Sequence, residues 1–185
     1  MKKQVNAKTT SYAYVTLHRA AYYALKEAKV SEKGQFFNSL TAMIYSAFSL
    51  EAYLNHLGNN EFPNWNKIER AKSPKQKLDM LLEKKDYHAN FHKNPFDVFD
   101  EIFEFRKKIV HGKTEVIKIE EIQEGEFDGP QIMPTTSWEK STTLENAKLF
   151  VESSTAIIVE LHPVFGYTSH PFATEWESSW EAKPL

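Results

Sequence analysis

The chain has 185 residues, 41% of them hydrophobic and 26% charged, with a formal net charge of −2. That length suits one domain with a sizeable core, and that charge excludes the broad basic face used for non-specific nucleic-acid binding. No apolar run reaches the roughly 20 residues of a membrane span, and Met-Lys-Lys is followed by polar residues rather than a signal-peptide core.

Cysteine is absent, which removes disulfides, thiolate metal sites and cysteine nucleophiles together and suits a reducing, cytoplasmic location. Arginine occurs only at positions 19, 70 and 106, against 20 lysines, so the placing of each one is informative.

Taken in chain order, residues 11–29 predict a first helix. Tyr14, Leu17, Ala21, Ala24, Leu25 and Ala28 recur at helical spacing, Thr10 or Ser11 is the candidate cap, and the alanines invite close approach of a neighbour. Residues 35–57 are apolar almost all round, as a central buried helix should be, with Gly58 expected to stop it. A loop is expected over 58–72. Ser73-Pro74 then opens a short helix to about Lys84 with Leu78, Leu81 and Leu82 inward.

Asn94-Pro95 repeats that signature before a helix at 95–111, whose acids come early and bases late, with Gly112 ending it. Residues 114–122 alternate in the strand manner, and the glycines and prolines at 125–134 suggest a turn or flap. Thr142 with Glu145 forms an expected capping box. The last long helix should run to about Leu161, with Ala147, Phe150, Val151, Ser154, Ile157, Ile158 and Leu161 inward, until Pro163 stops it. The expected fold is all-α: an up-and-down bundle of four to five helices over 1–162, including a small extended insertion at 113–141. An aromatic tail, 163–185, should dock on the bundle or a partner subunit, with Trp176 and Trp180 on one side of a helical turn.

Two side chains interrupt apolar stripes. Arg106 follows Phe99, Ile102 and Phe103 on one helix face and precedes Val110. Glu51 follows Leu40, Ile44 and Ala47, with Leu54 and Asn55 beyond it. A carboxylate on such a face needs a partner, because burying it unpaired costs several kcal/mol. The economical inference is that Glu51 and Arg106 face each other, or share a polar pocket with Asn55 and His111. His111 lies five residues beyond Arg106, roughly 140° round a straight helix, so only a turn at the helix end, which Gly112 permits, would bring its imidazole round. Otherwise it is a histidine that complements the helix dipole.

These residues carry a resemblance. Arg106-Lys-Lys-Ile-Val-His111, running into Gly112, is similar to the arginine–histidine motif of the HEPN superfamily, near the end of a core bundle helix. The segment FSLEAYLNHLG, Phe48 to Gly58, resembles the preceding core helix of several HEPN families, where a glutamate and an asparagine recur at the spacing of Glu51 and Asn55. The position after the arginine, often Asn, Asp or His in active members, is here Lys107. Some members have lost catalysis and serve as binding or dimerisation modules.

The resemblance covers about residues 11–162. It implies a metal-independent endoribonuclease without cofactor, acting as a homodimer on RNA, with a toxin or defence role and an antitoxin or nucleotidyltransferase as partner. Arg106 and His111 would be catalytic and Glu51 and Asn55 a supporting polar pocket. Lys107 and Lys108 could contact phosphate or simply be solvated. The competing expectations are a catalytically inactive helical dimer that binds a nucleotide or protein, and a bundle in which the Glu51–Arg106 pair is purely structural. His88 and His92, four apart, lack the carboxylate pattern of a metal site, and no phosphate-binding glycine loop or nucleophile elbow occurs.

Overall fold

The computed structural model describes residues 3–118 and 135–184. Among these the chain is mostly helical, with one two-stranded ribbon. The helices are α1 (Ala13–Val30), α2 (Gln35–Glu61), α3 (Trp65–Ala71), α4 (Pro74–Lys84), α5 (Phe99–Val110), α6 (Ser137–Ser141) and α7 (Leu144–Val164). A 3-10 turn, Phe96–Val98, leads into α5, and strands β1 (Lys3–Ser11) and β2 (Trp176–Pro184) pair the two ends of the chain.

Helix α2 is the hub, packing on α1, α7, α4, α5 and α3. Its 27 residues extend about 40 Å, long enough to touch all of them. Small buried residues let α1 come close: Ala21 and Ala28 meet a helix whose own buried positions include Ser39, Ala42, Ser46 and Ala47. The α1–α2 turn is closed by Gln35 Nε2, which donates to the Ala28 carbonyl at 3.0 Å. Gly34, at φ 77°, takes a left-handed conformation there that favours glycine. The inward stripe expected for α7 is buried at Ala147, Phe150, Val151, Ser154, Ile157, Ile158 and Leu161.

Several local expectations are corrected. Gly58 does not stop α2 but lies buried inside it, and a Cβ there would overlap the Trp65 indole. The glycine is a seat for a fully buried tryptophan, and the expected loop 58–72 therefore contains α3. Helix α1 begins after Tyr12 without a side-chain cap, because Thr10 and Ser11 belong to β1. The cap of α7 is Thr143, whose hydroxyl accepts from the Asn146 N–H at 3.1 Å, while Thr142 donates back to the Trp138 carbonyl. Pro163 lies in the last turn of α7 rather than beyond it.

The Ser73 signature holds in full. Its hydroxyl accepts from the Gln76 N–H and the Gln76 side chain accepts from the Ser73 N–H. The strand expected at 114–122 is not formed over 114–118, and the rest of it, with the turn at 125–134, lies outside the described residues.

The β structure comes instead from the termini. β1 and β2 pair antiparallel, Lys3 opposite Pro184 and Ser11 opposite Trp176. Tyr12 N–H donates to the Glu175 carbonyl at 2.8 Å, and Arg19 pairs with the Glu175 carboxylate at 2.9 Å, which ties the ribbon's base to α1. Trp176 and Trp180 do share a face, but through the strand period of two, and both are exposed rather than docked on the bundle. It is the nearer part of the tail, Phe165, Tyr167 and Phe172, that packs on the core.

Candidate functional site: a charged centre and its cleft

Helix α2 brings Glu51 to α5, and α5 brings Arg106 to meet it. Arg106 Nη2 lies 3.0 Å from Glu51 Oε2. The other carboxylate oxygen accepts from Lys77 Nζ of α4 at 3.1 Å. One carboxylate thus bridges two cations from two helices. Lys77 is the most enclosed of the three, its side chain only 3% exposed, against 20% for Glu51 and 29% for Arg106. A lysine so enclosed needs a fixed counter-charge, and Glu51 is its only ion-pair partner among the described residues. The Arg106 guanidinium also sits 5.6 Å from the centre of the Phe48 ring, a cation–π contact one helical turn before Glu51. Its Nε is buried without a hydrogen-bond partner among the described residues.

Arg106 opens onto a cleft of about 340 Å³ between the start of α4 and α5. His111 lines the same cleft as the C-cap of α5, so the chain end does bring imidazole and guanidinium to one opening. The turn that does this is not left-handed at Gly112. There a Cβ would stand 3.2 Å from the Lys108 carbonyl oxygen, tighter than an ordinary contact. His111 is exposed, and its ring makes no hydrogen bond to a described residue.

The other expected residues separate. Lys107 lines the cleft but is exposed and paired with Glu104 at 3.4 Å. Lys108 points to a different, smaller cavity with Met43 and Phe150. Asn55 has a buried Oδ1 without a partner among the described residues and does not line the cleft. Asp100 and Glu104 line it and subtract from its positive potential. Lys75 also lines it, but its ammonium bonds Asp79 at 2.8 Å and lies over the Phe91 ring.

Sequence reasoning missed Lys77. The signal was present, since Lys77 falls four residues before Leu81 on the inward face of α4, but among 20 lysines it does not stand out. The fixed arginine and exposed imidazole on one cleft can offer a phosphate group charge-assisted donors and a proton-transfer group. Among the described residues no cluster of metal-ligating side chains occurs, and no helix is long and apolar enough to cross a membrane. No family model matches the chain, and neither does a curated protein or a solved structure.

Proposed function

We propose that the chain is a HEPN-type endoribonuclease, an up-and-down helical bundle that works without metal as a homodimer and serves as a toxin or defence component beside an antitoxin or nucleotidyltransferase. The observation that carries this reading is the shared cleft: Arg106, held by Glu51, and the exposed His111 open onto the same space. In the reaction, the ribose 2′-oxygen attacks its own phosphorus and loses its proton to a base. The bond to the 5′-oxygen breaks, and that oxygen takes a proton from an acid, leaving a 2′,3′-cyclic phosphate. His111 suits proton transfer, and Arg106 suits the added charge of the phosphorane.

One chain supplies one such histidine, whereas the reaction uses a base and an acid. A twofold contact at the end of α5 repeats every residue and supplies both. Lys107 lines the cleft at that end and would meet the RNA backbone, whereas Lys108 faces another cavity and Asn55 stands outside the cleft.

Incubation with mixed RNA in EDTA tests this. Cleavage to cyclic-phosphate ends should persist, and His111→Ala should abolish it without moving the melting temperature, because the imidazole is exposed and makes no hydrogen bond to a described residue. An active monomer, or cleavage that stops on chelation, rejects the mechanism. A second reading, a catalytically inactive dimer that binds a nucleotide or protein, is favoured by Asp100 and Glu104 on the cleft wall and by Glu104 holding Lys107. A dimer without cleavage selects it.

A further inference from the structure

A second, larger cavity of about 470 Å³ lies where the base of the terminal ribbon meets α1, α2 and the end of α7. Its walls are aromatic. Tyr12 meets His56 edge to face, centroids 5.7 Å apart at 80°, and Tyr14 and Tyr167 lie 5.4 Å and 5.6 Å from the same imidazole. The walls are pinned from behind. Asn60 Nδ2 donates to the Tyr167 hydroxyl at 2.7 Å, Tyr167 stacks on His162 at 4.6 Å, and the His162 Nδ1 pairs with the Tyr53 hydroxyl at 3.1 Å. His162 is almost wholly buried, and its Nε2 has no partner among the described residues.

The electrostatics point one way. The described lining includes no lysine or arginine, and its one carboxylate is Glu177. An anion would find no fixed positive charge here. Burial, and then the neighbouring imidazoles, depress the pKa of His56 and His162, so these rings present neutral faces near pH 7. Aromatic faces carry negative potential and attract cations, quaternary ammonium groups above all.

We propose that this cavity binds a small organic cation of the alkylammonium class, its head group against Tyr12, Tyr14, His56 and Tyr167 and its charge facing Glu177. The site is independent of the Arg106 cleft and shares no lining residue with it.

Calorimetric titration of the full chain with choline, and with its uncharged isostere 3,3-dimethyl-1-butanol, separates charge from shape. Choline should bind saturably at one site per chain and at least about tenfold more tightly than the isostere. Glu177→Gln, an exposed substitution that preserves the fold, should weaken choline by about five- to tenfold and leave the isostere unchanged. Tyr12→Leu should weaken choline similarly, with circular dichroism confirming the helical content. Equal binding of choline and the isostere would make the cavity merely apolar and overturn the proposal. So would the absence of saturable choline binding, or a Glu177→Gln chain that binds choline as the parent does.

Discussion

The charged centre at Glu51 and the aromatic cavity around His162 both take polar groups from α2, and they handle burial by opposite means. Glu51 and Tyr53 are two residues apart, about 200° round the helix, so α2 stands between the two regions. On one side opposite charges are set against each other, Lys77 and Arg106 sharing one carboxylate. On the other side Tyr53, His56 and His162 are enclosed with each other, and burial drives them toward neutrality. The tyrosine is pushed up and the histidines down, each away from its charged form. A buried ion depends wholly on its partner, whereas a buried neutral group depends on one hydrogen bond and on the pH.

The largest effect should therefore come from Glu51. Glu51→Ala strands the enclosed Lys77 and should lose about 3–5 kcal/mol in chemical denaturation. Arg106→Ala should lose less, because Glu51 keeps Lys77 and Arg106 is the more exposed cation. The Glu51/Lys77 double variant should lose less than the sum of its parts. Small, additive losses would mean that the three groups do not share their energies, and the contrast with the cavity would collapse.

The sequence revealed these regions unequally. The Glu51–Arg106 meeting was legible because each charge broke an apolar stripe, and a stripe that accepts a charge implies a partner. The Ser73 cap was legible because its signals are local. What stayed hidden was non-local. The β1–β2 pairing joins Lys3 to Pro184, and no spacing within either segment records the other. The cavity draws on the ribbon base, three helices and the loop before β2, so its histidines looked scattered along the chain.

Gly58 was misread for the same reason. A local rule makes it a helix stop, while Trp65, seven residues on, makes it a seat. Gly58→Ala gains helix propensity of about 1 kcal/mol and must still displace a fully buried indole. A net loss of about 1–3 kcal/mol is expected from overpacking. A stabilised variant would return the glycine to its local role.

The neutral side is probed by a single atom. Tyr53→Phe removes the hydroxyl that pairs with His162 Nδ1 and leaves a buried nitrogen without a partner, for a loss of about 1–3 kcal/mol. The measure is the denaturation midpoint near pH 7, where an unchanged value would show that water replaces the hydroxyl and that the enclosure is incomplete.

The effect that separates the two regions most cleanly is the response to mild acid. Burial, with His170 and Arg19 adding repulsion, lowers the His18 pKa to about 4, and His56 and His162 shift the same way. His18 Nε2 lies 2.9 Å from Thr155 Oγ1, and its ring stacks on Phe172 at 3.8 Å, so protonation would put a charge between α1, α7 and the tail. Arg19, one of those charged neighbours, is itself paired with Glu175 at 2.9 Å. The sign follows from depressed folded values. Above about pH 6.5 neither state binds the protons and the stabilisation is whole; as pH falls toward 4 the unfolded chain takes them up first and stability declines. Each group contributes at most about 1.4 kcal/mol per pH unit within that window, less where solvent reaches it. His18→Gln keeps a hydrogen-bonding group near Thr155 but cannot titrate. Its melting temperature should fall less steeply between pH 6.5 and 4.5 than that of the parent chain. Parallel curves would mean that His18 protonates in place without strain, and that the aromatic side of α2 tolerates charge as readily as the Glu51 side does.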